Sequence, residues 1–259
     1  MGDDGGASAY ILGTEERRRL ELLEQCLDPI TTKSLDAIGV EPGWRCLEVG
    51  GGGGSVTRIL CECVGPAGRV AAVDIDTRFL EEIQHENLDV LRQDIVAEGL
   101  PGAGYDLVHA RLLLMHLPTR EKVLEEMATS LRPGGWLLIE EMDCYPFLAT
   151  AEGLYRRVWE AAMLAFEMAS TAPFLGRELP RLFDSAGLEA VAVNCETPTC
   201  RGGEPFTELI MSTLNQMRPL ILANGITDQD FEDLAGILDD PREWFSSFAA
   251  YSVRGRRAQ

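Results

Sequence analysis

The segment LEVGGGGGSV, residues 47–56, puts side-chain-free backbone where an apolar run gives way to a helical pattern, with Gly50, Gly52 and Gly54 at alternate positions. A turn of that kind lets a ligand approach the main chain closely and aims helix N–H groups at it. Asp74 closes the next apolar run, 20 residues after Gly54, where a carboxylate can accept two hydrogen bonds from a ribose diol. Asp94 closes the run after that and is suited to receive a hydrogen from an adenine amino group. Taken singly, a glycine run reads as a flexible loop, and either acid as a turn or helix-cap residue. In succession at strand ends they describe a nucleoside site. The dinucleotide pattern GxGxxG would need its last glycine at Ser55 or Val56, so nicotinamide and flavin cofactors fit less well.

These residues need strands and helices in alternation to hold them. Apolar runs at 45–49, 69–73, 88–92, 105–110 and 135–142 read as five strands, with helices at 55–64, 77–85 and 120–131 between them. Two lead-in helices precede them, at 14–26 and 29–38. Beyond them come helices at 151–170 and 177–186, a strand at 188–194, and a long helix at 205–224 kinked at Pro219. A helix at 227–238 and a last strand at 245–253 complete the pattern. The alternation predicts an α/β fold, a parallel sheet wound on both faces by helices, with ligands at the carboxyl ends of the strands. The chain divides into lead-in helices over 1–40, a ligand-binding core over 41–145, and a remainder over 146–259. It reads as one sheet with helical insertions.

Composition narrows the partners. A formal net charge of −19 over 259 residues, 25% of them charged, repels phosphate backbones and anionic membrane surfaces, so neither nucleic acid nor membrane is expected. Arg254, Arg256 and Arg257 read as a solvated tail. The first ten residues lack the pattern of an export signal, and Gly6 stands where an acylation motif starting at Gly2 needs Ser or Thr, so the expected location is cytoplasmic. Seven scattered cysteines without CxxC spacing read as reduced structural thiols, and no metal is expected.

The ordered set LEVGGGGGSV, VAAVDID, LRQDI, YDLVHARLLLMHLP and LRPGGWLLIEEMD resembles the class I, Rossmann-like S-adenosylmethionine-dependent methyltransferases over residues 45–143. The resemblance implies a seven-stranded, mostly parallel, doubly wound sheet whose last strand is antiparallel, with helical insertions forming a substrate cap. It implies that Glu48 and the turn of Gly50, Gly51, Gly52 and Gly54 lie beside the methionine part of the cofactor. Asp74 would bind the ribose hydroxyls, Ile75 would cover one adenine face, and Asp94 with the Ile95 backbone would recognise the adenine edge. Ala110 and Arg111 would stand near the sulfonium. Departures from the commonest pattern are Glu48 in place of Asp and the five consecutive glycines. The C-terminal half is similar to small-molecule methyltransferases of bacterial secondary metabolism. The implied reaction is methyl transfer from S-adenosylmethionine to O, N or C of a small, largely apolar or aromatic molecule, leaving S-adenosylhomocysteine. The alternative is a cyclase or binding protein of the same fold that holds the cofactor without spending its methyl.

Displacement at a sulfonium carries its own leaving group, so the protein must mainly align and desolvate the partners, with a base in reach for a protic nucleophile. The candidates are His116, after the fourth strand, and Glu140, Glu141 and Asp143, at the end of the fifth. Glu141 and Asp143 share one side of an extended segment, with Glu140 opposite. They could serve as base, as acceptors for a substrate amine, or as metal ligands, although Ala110 and Arg111 offer no matching acid. His85 and His109 read as structural. Apolar stripes at helical spacing supply Trp159 and Met163, then Phe206 and Ile210, and with Tyr145 and Phe147 these are the candidate substrate wall. The chain is expected to act as a monomer or homodimer.

Overall fold

The computed structural model describes residues 14–259, so the N-terminal readings of export signal and acylation lie outside the described residues. Among the described residues nine strands form: β1 Arg45–Val49, β2 Arg69–Asp74, β3 Leu88–Arg92, β4 Tyr105–Arg111, β5 Leu131–Asp143, β6 Leu188–Glu196, β7 Thr199–Arg201, β8 Trp244–Ser246 and β9 Ala249–Arg257. Seven make one sheet in the order β3-β2-β1-β4-β5-β9-β6. β1 pairs in parallel with β2 and β4, β2 with β3, and β4 with β5, whereas β9 runs antiparallel to β6. This is the expected mostly parallel sheet with an antiparallel last strand.

The chain divides into two units. The sheet unit takes Leu27–Asp143, Phe174–Glu196 and Ala250–Gln259, and the second unit takes the chain up to Cys26, Cys144–Pro173 and Thr197–Ala249. In the sheet unit, strand alternation puts Cys46, Leu107 and Leu138 on one face, where they pack in a core with Leu35, Ile38, Val56, Leu60 and Val64. On the same face, towards the carboxyl ends of β1, β4 and β5, the sequence changes from apolar to ionisable: Glu48, His109, Arg111 and Glu140. Glu48 is in register with His109, and Arg111 with Glu140. The second unit holds helices Tyr145–Thr150, Gly153–Met168, Pro205–Gln216, Arg218–Ala223 and Asp228–Asp239, with β7 and β8 as an antiparallel pair. All seven cysteines are free thiols, and no helix among the described residues is long and apolar enough to cross a membrane.

Four expectations about elements need correction. The two lead-in helices are one, Thr14–Ile38, with Pro29 inside it. Pro29 removes one N–H, but buried positions at Leu22, Leu27, Ile30, Thr31 and Leu35 continue through it at helical spacing, and burial outweighs the lost bond. The helix expected over 77–85 shrinks to a single 3-10 turn, Leu80–Glu82, after which Ile83 is extended. The side chains of Leu80 and Ile83 pack against Gly51 and Gly54, a contact a continued helix would withdraw. The long helix at 205–224 breaks at Met217, and Pro219 sits in the first turn of the second piece, the position that needs no N–H. The run read as one last strand is two: Trp244–Ser246 pairs with β7, and β9 begins at Ala249 after Ser247 donates its N–H to Pro198. Alternation alone could not show that the chain changes partners at Ser247.

Candidate functional site

The glycine turn takes the shape its composition allows. Gly50, Gly52 and Gly54 have φ of 76°, 52° and 88°, all in the left-handed region that disfavours side chains. The N–H of Gly50 bonds to Val73 O at 2.8 Å, tying the turn to the end of β2, and helix Ser55–Val64 starts immediately after Gly54 with no side chain capping it.

Asp74 ends β2 beside this turn. Its Oδ2 accepts from the Gly52 N–H at 2.9 Å and its Oδ1 from the Asp76 N–H at 3.0 Å, so the carboxylate is held at a fixed angle. Burial raises its pKa, and the backbone donors from Asp76 and Gly52 oppose that rise. Next along, Ile75 is 63% exposed, an apolar surface at a strand end where neighbouring strand residues are buried. Asp94 caps the short helix Ile95–Glu98 through Oδ1, which accepts from the N–H groups of Val96 and Ala97. Ile95 is buried behind it. A carboxylate, an exposed apolar side chain and a second carboxylate thus stand at the ends of β2 and β3, a set of residues that fits a nucleoside.

The candidates for proton chemistry separate. Asp143 is buried and forms a two-pronged ion pair with the Arg177 guanidinium. Glu141 is fully buried: its Oε1 accepts from the Met115 N–H at 3.3 Å, and its Oε2 has no partner. Burial pushes this carboxyl up to about 8, against the opposing pull of the backbone N–H groups of Met115, Leu114 and Leu113. That places Glu141 behind the 3-10 turn Leu114–His116, whose last residue is the half-buried His116.

The sequence reading missed His109. It is fully buried, with Nδ1 2.6 Å from Glu48 Oε2 and Nε2 3.3 Å from Glu140 Oε2. Burial alone would lower its pKa, but Glu48 and Glu140 outweigh burial and raise it to about 9, so it is an imidazolium at neutral pH. Glu140, for its part, is lowered: burial opposes ionisation, and His109, Arg111 and Ser252 overcome it. Thr31 and Ser252 donate to Glu140. Arg111, expected near the sulfonium, gives Nη1 to Asp28 Oδ1 and Thr31 Oγ1, both at 2.9 Å, and Nη2 to Ser55 Oγ at 3.3 Å. Ala110 is buried within β4. The overlooked signal was parity: strand register puts Glu48 beside His109 and Arg111 beside Glu140, all four on the same face of the sheet.

The second unit contains the aromatic candidates. Phe147 stacks on Trp159 with ring centroids 3.8 Å apart, and Tyr155, Phe245, Phe248 and Phe206 extend the cluster edge-on or tilted. The Tyr155 hydroxyl faces the Trp159 indole, yet neither polar atom completes a hydrogen bond. Ile210 is buried, Met163 half-buried and Tyr145 exposed.

The sequence model of the methyltransferase-domain family matches residues 15–193. A methyltransferase from Strobilurus tenacellus, str2, is 30% identical over 196 residues, covering 71% of this chain and 68% of that protein. The ubiquinone/menaquinone biosynthesis C-methyltransferase UbiE of Hahella chejuensis is 29% identical over 132 residues, 47% of this chain; the match spans 53% of that relative, about half its length. A solved structure of Haemonchus contortus phosphoethanolamine N-methyltransferase 2, with S-adenosylhomocysteine, shares the fold at a TM-score of 0.64 and 15% identity, covering 96% of this chain and 59% of that one. With the strand order, the glycine turn and the family match together, the chain belongs to the methyltransferase-domain family, the class I S-adenosylmethionine-dependent methyltransferases.

Proposed function

We propose that this chain transfers a methyl group from S-adenosylmethionine to an O, N or C atom of a small, largely apolar or aromatic molecule, a bacterial secondary metabolite, in the cytoplasm. The observation that carries the reading is the pair of acids at successive parallel strand ends, Asp74 and Asp94, set around a turn of three left-handed glycines. Asp74 would bind the ribose diol, Ile75 would cover the adenine face, and Asp94, with Oδ1 spent on its cap, would offer Oδ2 to the adenine amino group. Gly50, Gly51, Gly52 and Gly54 would leave room for the methionine portion beside Glu48.

When bound, the cofactor supplies an electrophilic methyl on a sulfonium. The chain's own work is alignment and proton handling. His116 is the group we assign to take a proton from the acceptor, carried on a turn whose main chain Glu141 holds from behind. Asp143, bound to Arg177, supports this end of β5 rather than meeting the acceptor. For the acceptor itself, an aromatic ring bearing an oxygen is the class we favour. The C-methyltransferases of quinone biosynthesis among its relatives suit such an acceptor.

The test is turnover. Purified protein incubated with S-adenosylmethionine and a panel of phenols, hydroquinones and arylamines should release S-adenosylhomocysteine with at least one of them, and Asp74→Ala should abolish the release. Product formed from an acceptor without S-adenosylhomocysteine would turn the reading towards a cyclase.

A further inference from the structure

We infer that His109 is a positioning residue for cofactor binding: its imidazolium holds Glu48 with one nitrogen and Glu140 with the other, so that the second oxygen of Glu48 is aimed at the cationic amino-acid end of a ligand seated on the glycine turn. The inference rests on the methyl-transfer reading and adds to it a buried residue with no contact to ligand.

The geometry supplies the argument. Glu48 stands two residues before Gly50 and in parallel register with His109, so the two side chains project from the same face of the sheet as neighbours. Its Oε2 is bound to His109 at 2.6 Å, and its Oε1 makes no bond among the described residues. Glu48 is 2% exposed overall, yet its Oε1, unlike Glu141 Oε2, is not among the fully buried atoms left without a partner, so this oxygen keeps an opening through which a donor can reach it. The unspent oxygen therefore points to a donor that arrives with a ligand.

Two carboxylates on one imidazole would repel each other without the shared positive charge between them. A neutral imidazole can donate to only one of the two. His109 must carry both protons for Glu48 and Glu140 to be held together.

The same network reaches the other end of the turn. Glu140 receives Thr31, Thr31 receives Arg111, and Arg111 also meets Asp28 and Ser55, the first residue of the helix after Gly54. The turn is thus fixed on both flanks, by Glu48 before it and Ser55 after it. Among the described residues no set of three His, Cys, Asp or Glu side chains is arranged to hold a metal ion, and both nitrogens of His109 are already spent on carboxylates.

The experiment compares two ligands that differ only beyond the nucleoside: S-adenosylhomocysteine, which carries the amino-acid end, and 5′-methylthioadenosine, which lacks it. Dissociation constants are measured by calorimetry for wild type, H109Q, E48Q and the double variant. H109Q should weaken S-adenosylhomocysteine by about tenfold or more, as loss of an outer partner that orients a binding group does, while methylthioadenosine changes by less than about twofold. E48Q should show the same split, and the double variant should bind no more weakly than E48Q alone, because His109 acts through Glu48. If H109Q does not fold, H109N, read against the same pair of ligands, takes its place. Equal weakening of both ligands, no weakening, or losses that multiply in the double variant would make His109 a structural bridge and overturn the inference. Wild type that binds neither ligand would overturn the methyl-transfer reading and this inference with it.

Discussion

Replacing Glu141 with Gln should flatten the dependence of stability on pH. The wild-type carboxyl is fully buried, keeps one backbone donor and has an oxygen without a partner, and burial raises its pKa from 4.5 to about 8. Between those values the unfolded chain ionises the group while the folded chain keeps it neutral. An acid raised in the folded state therefore makes stability fall as pH rises, from 4.5 until about 8. At roughly 1.4 kcal/mol for each pH unit, wild type loses about 3 kcal/mol between pH 5 and pH 7 through this one group. Glu141→Gln keeps an oxygen to accept from Met115 and never ionises. It also buries an amide NH2 without an acceptor, a cost of about 1–3 kcal/mol that does not vary with pH. The slope, not the absolute stability, is therefore the quantity to read. Urea denaturation of both proteins at pH 5, 6, 7 and 8 cancels every titration they share. The variant should gain about 3 kcal/mol on wild type between pH 5 and pH 7. Parallel curves across that range would show that Glu141 ionises normally and is not enclosed as described.

Other perturbations read other parts of the structure. His109→Leu leaves Glu48 and Glu140 without their shared cation and should cost about 3–5 kcal/mol at pH 6. Because the folded pKa of His109 is raised, the bridge contributes in full below 6.5 and is lost as pH rises through about 9, so the deficit measured by denaturation should shrink by pH 9.5. In Gly54→Ala the new Cβ would stand 2.5 Å from Ile83 Cδ1 at a φ of 88°, whereas Gly39→Ala has a similar φ of 74° with nothing within 4 Å. Thermal denaturation should show the first costing about 1–2 kcal/mol more than the second, the overpacking added to a shared backbone strain. Arg177→Ala removes the partner of a buried Asp143 and should lower stability by about 1–2 kcal/mol while cofactor affinity, measured by calorimetry, stays within about twofold.

Local chemistry was the part of the fold that the sequence spelled out. Glycines at 50, 52 and 54 are where the backbone needs left-handed φ, and the acids at 74 and 94 stand at strand ends because turns and caps there need acceptors. The sheet followed from alternation of apolar runs with helical stretches. What stayed hidden depends on packing across distance. The helix over 77–85 had adequate periodicity, but Leu80 and Ile83 were claimed by the glycine turn. The run from Phe245 to Val253 reads as one strand, and the change of partner at Ser247 is a tertiary event. The His109 network was the largest omission: its members come from residues 28 to 252, and only strand register places Glu48 beside His109.

The central claim is that a nucleoside sulfonium binds at the end of β1 and β2, with its ribose on Asp74. Calorimetric titration with S-adenosylhomocysteine tests it most directly, on wild type and on Asp74→Asn, which keeps the shape of the side chain and removes an acceptor. Wild type should bind one molecule per chain, and Asp74→Asn should bind it roughly ten- to a hundredfold more weakly, the loss of a charge-assisted hydrogen bond worth about 1.5–3 kcal/mol. No heat from wild type, or an Asp74→Asn isotherm that matches it, would contradict the account.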